Sequence, residues 1–334
     1  MRSSSKWLAA VALVAVALVA GIGCTTPVQQ GPRIRMAIGG QTQLVYLPTT
    51  LAAQLGHYGS QGIDVELVDL QGGAKALEAL LGGSADVVSG FFDHTIQLAA
   101  EGKRLKSFVT MLRYPGLALV SAGGAKSVAE LRGKTVGVSA PGSSTHLFLN
   151  HLLLKNGLPV DSVAAVGVGM SAGAVAAMER GKVDAAVMAE PAISQLAARK
   201  GPLTILAEAQ SPEGVRAVYG TDAYPAAVLY AKAEWVEANP ILAQRLARAI
   251  LTTLQWIQTH SSAEIAAAMP ESFRVGDPGA YTRAVEAGRG MFSPDGLMPE
   301  EGARAVARVM AESIEKVRAA KVDPTTCYTN EFLR

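Results

Sequence analysis

The strongest constraint on the fold is a unit of alternating strands and helices that occurs twice along the chain. Residues 83–88 of the first copy read Gly-Ser-Ala-Asp-Val-Val, and residues 181–186 of the second read Gly-Lys-Val-Asp-Ala-Ala. In both copies a helix ends on a glycine, which accepts the left-handed conformation of a helix C-terminus, and an aspartate precedes an apolar strand. Alternation of this kind is typical of parallel sheets covered by helices on both faces. The repeat therefore predicts an α/β protein with two similar lobes.

Both copies predict the same order of elements. Each has three strands and two helices, and glycine-rich loops join each strand to the following helix. The predicted strands are 33–38, 63–70 and 85–89 in the first copy, and 134–139, 163–168 and 183–188 in the second.

The rest of the chain connects the two copies and completes the first lobe. Apolar runs at 116–122 and 224–231 are interpreted as two strands that cross between the lobes. From Glu234 onward, apolar residues at spacings of three and four predict helices with one buried face. We therefore assign residues 33–120 and 225–334 to a discontinuous lobe 1, and residues 121–224 to lobe 2.

Composition narrows the class of protein. The 334 residues are 49% hydrophobic, which is enough for two medium-sized cores and is unlike disordered or collagen-like chains. A formal net charge of +2 provides no broad basic field, so we expect no nucleic-acid partner. Two cysteines exclude a disulfide framework, and the five histidines lack metal-ligand spacing. The sequence therefore predicts no metal site and no cofactor.

The N-terminus has the form of an export signal. Arg2 and Lys6 precede a core, residues 8–20, that is almost entirely Ala, Val and Leu. Cys24 follows Gly21-Ile22-Gly23, which resembles a lipoprotein signal box, although a leucine is usual where Gly21 stands. We expect a signal peptide over residues 1–24 that ends in a lipidated Cys24, and a tether over residues 25–32.

This interpretation places the folded domain in the periplasm or at the outer face of the cytoplasmic membrane, attached through the lipid. Two alternatives stay open. Cleavage near Ala20 would release the domain, and an uncleaved helix would anchor it permanently.

Polar and aromatic residues follow the predicted strands, at the end where open α/β sheets bind ligands. The loop 140–145 carries three consecutive hydroxyl residues at a helix N-terminus, where free N–H groups and the helix dipole favour an anion. Other loops bring aromatic rings, an amide and two carboxyl groups. The predicted ligand-binding residues are Gln43, Tyr46, Ser89, Phe91, Asp93, Tyr114, Ser143, Ser144, Thr145, Ser171 and Glu190.

Structural roles compete with ligand contact at several of these positions. One hydroxyl of the 143–145 run is enough to cap the helix, and Asp93 or Glu190 could cap the helix that follows it. One of Phe91 and Phe92 is expected in the core. Lys75 and Arg113 are the nearby cations, and the sequence leaves open whether either reaches the cleft.

The sequence contains no recognisable catalytic constellation. No serine lies in a Gly-x-Ser-x-Gly elbow, no His–Glu pair suits metal hydrolysis, and Cys327 lies in a C-terminal tail. An exported protein with two lobes, a polar cleft and no evident nucleophile is interpreted as a binder, not an enzyme.

Several segments resemble the solute-binding proteins of bacterial ABC importers for nitrate, sulfonates, taurine and thiamine precursors. They include Leu47-Pro48 entering a helix that ends in Leu55-Gly56-His57-Tyr58-Gly59, and the strand start Gly62-Ile63-Asp64-Val65-Glu66. The resemblance extends over residues 33–333. It includes the runs Ala79-Leu80-Leu81-Gly82-Gly83-Ser84-Ala85-Asp86-Val87, Leu131-Arg132-Gly133-Lys134-Thr135-Val136-Gly137-Val138 and Tyr328-Thr329-Asn330-Glu331-Phe332.

The resemblance implies a two-lobed periplasmic-binding-protein fold that closes on a solute by hinge motion. It further implies delivery of the solute to a membrane permease driven by a separate ATPase. We expect a monomer that binds a small anionic or aromatic solute. The aromatic option arises because only Lys75 and Arg113 lie near the cleft loops, whereas Phe91, Phe92, Tyr46 and Tyr114 could stack on a ring. Two other functions stay open on the same scaffold. One is an enzyme of the thiamine-pyrimidine or menaquinone-pathway type, and the other is a ligand sensor for a membrane kinase.

Overall fold

The structure is a computed structural model that describes residues 31–70, 72–121, 124–274 and 279–334. The expected signal peptide, Cys24 and all but the last two residues of the expected tether lie outside the described residues. Among the described helices, none combines the length and the apolar character of a membrane-spanning segment.

The first sheet has five strands, four of which run in the same direction. β1 pairs in parallel with β2 and β3, and β10 lies antiparallel between β3 and β4. In spatial order the strands are β2 (Asp64–Asp69), β1 (Arg33–Ile38), β3 (Val87–Phe91), β10 (Ala227–Lys232) and β4 (Leu105–Thr110).

The second sheet repeats this arrangement. β6 pairs in parallel with β7 and β8, and β5 lies antiparallel between β8 and β9. In spatial order the strands are β7 (Ala164–Gly167), β6 (Thr135–Val138), β8 (Ala185–Ala189), β5 (Leu117–Ser121) and β9 (Thr204–Ala209). Two five-stranded mixed sheets flanked by helices confirm the predicted α/β fold with two lobes.

The helices cover both sheets and form the C-terminal part of the chain. The long helix α10 buries Leu246, Ile250, Leu254 and Ile257, which confirms the predicted apolar face. The helices are α1 (Leu47–Gln54), α2 (His57–Ser60), α3 (Gly73–Leu81), α4 (Asp93–Ala99), α5 (Ser144–Lys155), α6 (Ala172–Glu179), α7 (Ala192–Lys200), α8 (Pro212–Tyr219), α9 (Ala233–Ala238), α10 (Pro240–Thr259), α11 (Ser262–Ala268), α12 (Ala280–Gly288), α13 (Glu300–Ser313) and α14 (Glu315–Ala320).

The two strands interpreted as crossings do not themselves cross. β5 pairs only with strands of the second sheet and β10 only with strands of the first, so each is the antiparallel strand of one lobe. Residues 117–120 therefore belong with the second sheet, and the lobe boundary expected at residue 120 moves towards residue 116.

The connections between the sheets are the short segments before these two strands. They lie side by side, because Tyr224 and Ala226 donate their backbone N–H groups to the carbonyl oxygens of Arg113 and Leu112. This paired region, 111–116 with 220–226, is the hinge region of the molecule.

The aspartates of the repeated motif have the same structural role in both lobes. Asp86 accepts the backbone N–H of Arg35 at 2.9 Å, and Asp184 accepts that of Thr135 at the same distance. Each aspartate also meets a cation, the guanidinium of Arg35 or the ammonium of Lys134. The repeated Asp therefore ties the third strand of each copy to the first strand of that copy.

Candidate functional site

The carboxyl ends of the parallel strands in the two lobes face each other across a narrow cleft. A small cavity, the central cavity, lies between the loops that follow these strands, and its volume of about 10 Å³ is room for about one water molecule. It is lined by Tyr46, Gly73, Phe91, Ser139, Ser143, Ser144, Thr145 and Met170. Five of these eight residues are among the predicted ligand-binding residues, and they come from both lobes.

Ser144 joins the two lobes at the edge of the central cavity. Its hydroxyl donates to Oδ1 of Asp93 at 2.9 Å, although the two residues are 51 positions apart in the chain. Asp93 is the first residue of α4, one position after the N-cap residue Phe92, and its carboxyl group is also hydrogen-bonded to the backbone of His94. Asp93 is therefore not the N-cap residue of α4, and its carboxylate contacts the other lobe through Ser144.

Ser143 and Thr145 are held inside their own loop. The Ser143 hydroxyl contacts the Ser139 and Thr145 hydroxyls at 2.8 Å and donates to the carbonyl of Ala140 at 2.7 Å. Thr145 Oγ1 accepts the backbone N–H of Ser139 at 2.8 Å. Ser143 and Thr145 therefore shape the loop, while Ser144 is the hydroxyl of the run that reaches across the cleft.

A second contact between the lobes involves Gln43. Its Nε2 donates to the Ser171 hydroxyl at 2.7 Å, and the same hydroxyl contacts that of Thr42 at 2.9 Å. Gln43 is 2% exposed, and its Oε1 has no hydrogen-bond partner. Such an unpaired buried acceptor is costly, so it is a candidate contact for a solute N–H or O–H group.

Two aromatic rings form the lobe 1 wall of the central cavity. Tyr46 and Phe91 meet edge to face with ring centroids 6.1 Å apart. Phe92, in contrast, is completely buried and packs against Tyr328. Phe91 thus lines the central cavity, and Phe92 lies in the core of lobe 1.

Three predicted residues lie away from the central cavity. Ser89 is buried in lobe 1, where its hydroxyl contacts that of Thr49 at 2.7 Å. Tyr114 belongs to the hinge region, and Glu190 follows β8 and bonds to the backbone N–H of Ser194 at 3.1 Å. None of these three lines the central cavity.

Neither nearby cation reaches the central cavity. Arg113 is exposed and lines a separate surface pocket with Asp222 and Asp295, and Lys75 is exposed on α3. No Lys or Arg is among the residues that line the central cavity in the described part of the chain.

Asp93 dominates the electrostatics of the cleft. It is 7% exposed, and burial raises the pKa of its carboxyl, although the hydrogen bond from Ser144 acts in the opposite direction. Burial, reinforced by the Asp93 charge, raises the pKa of Tyr46. The neighbouring His94 has its pKa lowered by burial, and its Nδ1 lies 3.2 Å from the Tyr230 hydroxyl. A buried carboxyl group therefore borders the central cavity, and burial is the main cause of these pKa shifts.

Several residues around the cleft were not identified from the sequence. Gly73, Ser139 and Met170 line the central cavity. Tyr219 and Tyr224 stack with ring centroids 3.7 Å apart, where α8 meets the hinge region. The glycine pair at the start of α3 is a sequence signal that could have identified Gly73 as a cavity residue. Local sequence patterns do not show which tyrosines, distant in the chain, stack on each other.

The described side chains include no group of three or more His, Cys, Asp or Glu that could hold a metal ion. The cleft chemistry thus consists of hydroxyl and amide groups, aromatic rings and buried carboxyl groups.

Two mixed α/β sheets, polar loops that face each other across a cleft and a paired hinge region define the class of two-lobed periplasmic-binding-protein folds. Residues 43–263 match the family model described as NMT1/THI5 like, and they make up more than half of the chain. The chain therefore belongs to the NMT1/THI5-like family.

Three relatives illustrate the similarity. A solved structure from Bordetella bronchiseptica RB50 is 38% identical, with a TM-score of 0.87 over 91% of this chain and 96% of that one. The alkanesulfonate-binding protein SsuA from Xanthomonas axonopodis pv. citri, bound to MOPS, is 18% identical, with a TM-score of 0.71 over 90% and 99% of the chains. YtlA of Bacillus subtilis (strain 168), named as a binding protein, is 23% identical and matches 81% of both chains.

Proposed function

We propose that this protein captures a small organic solute between its lobes and delivers it to the permease of an ABC importer, which a separate ATPase drives. The observation that supports this proposal most directly is the set of hydrogen bonds between loops of different lobes, from Ser144 to Asp93 and from Gln43 to Ser171. A paired hinge region beside such a cleft suits closure by rotation of one lobe against the other.

The residues of the cleft divide into contact and supporting roles in this proposal. Tyr46, Phe91, Asp93 and Ser144 contact one end of the solute. Gln43 can accept a solute N–H or O–H group through its unpaired Oε1, and its bond to Ser171 closes the lobes at the edge of the cavity. Ser143 and Thr145 hold the loop, Ser89 joins β3 to α1 through the Thr49 hydroxyl, and Tyr114 belongs to the hinge region.

The aromatic type of solute is favoured over the anionic type. Tyr46 and Phe91 offer ring edges and faces, whereas the buried carboxyl group of Asp93 borders the central cavity and no Lys or Arg lines it in the described part of the chain. The sulfonate bound by the SsuA neighbour is an anion, but at 18% identity that neighbour supports the shared fold and not a shared solute.

The proposal includes export and membrane attachment. The basic and apolar N-terminal segment and Cys24 suit a lipoprotein that keeps a monomeric domain near its permease. A binding role without turnover suits a cleft without a recognisable nucleophile–base pair among its described residues.

A thermal-shift screen of the protein tests the proposal. The panel contains sulfonates, nitrate, aromatic carboxylates, pyrimidines and flavins, since a ligand that binds only the native state stabilises it by about 2.7 kcal/mol at a hundredfold excess over Kd. The expected result is a shift with one chemical class and recovery of that solute unchanged. Chemical conversion of the bound solute would contradict the receptor function.

A further inference from the structure

A second and larger cavity lies between the lobes, next to the hinge region. This hinge-side cavity has a volume of about 230 Å³. Lobe 1 contributes an apolar wall that includes Leu44, Val45 and Met291, and lobe 2 contributes a polar wall that includes Glu190, Glu208 and Gln210. Because both lobes line it, lobe closure and occupancy of this cavity are coupled.

One short turn separates the two cavities. Tyr46 lines the central cavity, whereas Leu44 and Val45, which belong to the same 3-10 turn, line the hinge-side cavity. The backbone N–H of Leu44 donates to the carbonyl oxygen of Glu190 at 2.8 Å and holds this turn against lobe 2. The interlobe cleft is therefore divided into two compartments.

Acceptor groups predominate on the polar wall. Glu208 is fixed by its own loop, since its carboxylate accepts from the Ser211 hydroxyl at 2.6 Å and from the Ser211 backbone N–H at 3.0 Å. Glu190 accepts the backbone N–H of Ser194 through Oε2, and burial raises the pKa of its carboxyl. A cationic or N–H-donating partner would offset the cost of burying that carboxylate.

No Lys or Arg is among the residues that line the hinge-side cavity within the ranges that the structure describes. An anionic solute in the hinge-side cavity would lie near the carboxyl groups of Glu190 and Glu208, and no cationic side chain in the lining would offset the repulsion. An apolar body with a nitrogen donor would instead place its carbon surface against Val45 and Met291, and its donor towards Glu190.

We propose that the hinge-side cavity is the compartment that selects the solute, and that it binds a compact apolar molecule carrying an amine or amidine group. Glu190 receives the donor and Glu208 adds negative potential. This inference rests on the proposed function and names the chemical class of the solute.

The charge preference of the cavity is measurable without knowledge of the solute. Ala287 lines the cavity and is exposed, so a cysteine at this position can be reached by a reagent in solution. Ala287→Cys is made in a Cys24→Ala, Cys327→Ser background, so that the protein carries one thiol. Its rates of reaction with cationic aminoethyl and anionic sulfonatoethyl methanethiosulfonate are compared. Ile241→Cys, at a position 64% exposed on α10, is the matched control for the intrinsic reactivity of the reagents.

We expect the cationic-to-anionic rate ratio at position 287 to exceed that at position 241 by about tenfold or more. Adding Glu190→Gln should lower the ratio at position 287 and leave that at position 241 unchanged. Equal ratios at the two positions, or no response to Glu190→Gln, would overturn the assignment.

A matched set of probes separates this inference from the proposed function. Benzamidine, benzamide and benzoate share one shape and differ in charge, and calorimetry should rank their affinities in that order, with the preference for benzamidine reduced by Glu190→Gln. Tightest binding by benzoate or by a sulfonate would overturn the solute class and leave solute capture intact. Conversion of a bound solute would overturn the receptor function. If the thiol at position 287 still reacts faster with the cationic reagent, the charge preference of the hinge-side cavity would stand.

Discussion

The hydroxyl of Ser144 and the carboxylate of Asp93 are 2.9 Å apart, and their hydrogen bond connects α5 of one lobe to α4 of the other. Both residues lie at the first position of their helix, directly after a loop that ends a parallel strand. The bond exists only while the lobes are close together, so we expect it to contribute to the free energy of lobe closure.

Ser144→Ala should shift the lobes towards an open arrangement. Hydrogen bonds to charged groups contribute about 1.5–3 kcal/mol, and removal of this one leaves a buried carboxylate without its partner from the other lobe. Pulsed electron resonance between spin labels at Ile205→Cys and Ile241→Cys, in a background without other cysteines, measures the separation. Ser60→Ala removes an exposed hydroxyl of lobe 1 and is the control. An unchanged distance distribution in Ser144→Ala would contradict the prediction.

Thr145→Val should destabilise the fold. The methyl group that replaces the hydroxyl keeps the shape but leaves the buried N–H of Ser139 without its acceptor, which costs about 1–3 kcal/mol. Urea denaturation measures the free energy of unfolding. Thr259→Val, which changes an exposed hydroxyl at the end of α10, should alter it by no more than about 0.5 kcal/mol. Equal stability of the two variants would show that the hydroxyl network around Ser139 is not structural.

The sequence indicates the alternation of strands and helices, because glycines, prolines and apolar periodicity are local signals. It also indicates the loops of the cleft, since the ends of parallel strands meet at one edge of a sheet. It does not distinguish Ser144 from Ser143, because that difference depends on the rotation of α5 relative to Asp93 in the other lobe. The sequence also does not predict the hinge-side cavity, because this cavity depends on how the two lobes are placed relative to each other. Its walls come from Val45, Glu208 and Met291, which no spacing in the sequence connects.

Asp93→Asn should raise stability at neutral pH and flatten its pH dependence. Burial raises the pKa of Asp93 in the folded protein above its unfolded value. The folded state therefore binds the proton more tightly, so the stability contributed by this group is fully present below the unfolded pKa and is lost as the pH rises through the folded pKa. Asparagine does not titrate and keeps an oxygen that can accept from Ser144.

Thermal or urea unfolding of Asp93→Asn and wild type across the acid and neutral range measures this difference. The two curves should lie furthest apart above the folded pKa. A variant that is less stable than wild type at neutral pH would show that the charge of Asp93 is compensated in the folded protein.

His151 of α5 and Glu312 of α13 form a further contact between elements that lie far apart in the chain. His151 Nδ1 is 2.9 Å from a Glu312 carboxylate oxygen, and its Nε2 is 2.9 Å from the carbonyl of Val218. Both neighbours of the ring are groups that accept hydrogen bonds. The Glu312 side chain is 46% exposed, and we expect a coupling of about 0.5–1 kcal/mol. A double-mutant cycle with His151→Gln and Glu312→Ala, followed by unfolding, measures this coupling, and a value of zero would show that the contact does not stabilise the fold.

Cys24→Ala should release the protein from membranes in a form that needs no detergent. If lipid on Cys24 is the attachment, removal of the thiol prevents lipidation, and cleavage near Ala20 remains the route to a free domain. Fractionation of cells that express wild type, Cys24→Ala and Cys327→Ser measures the distribution. Cys327 is the other cysteine of the chain and is 2% exposed, so its substitution controls for the loss of a thiol and should leave the protein at the membrane. Membrane association of Cys24→Ala that resists salt and carbonate washing would indicate an uncleaved apolar helix over residues 8–20, since a bilayer retains such a segment without any lipid.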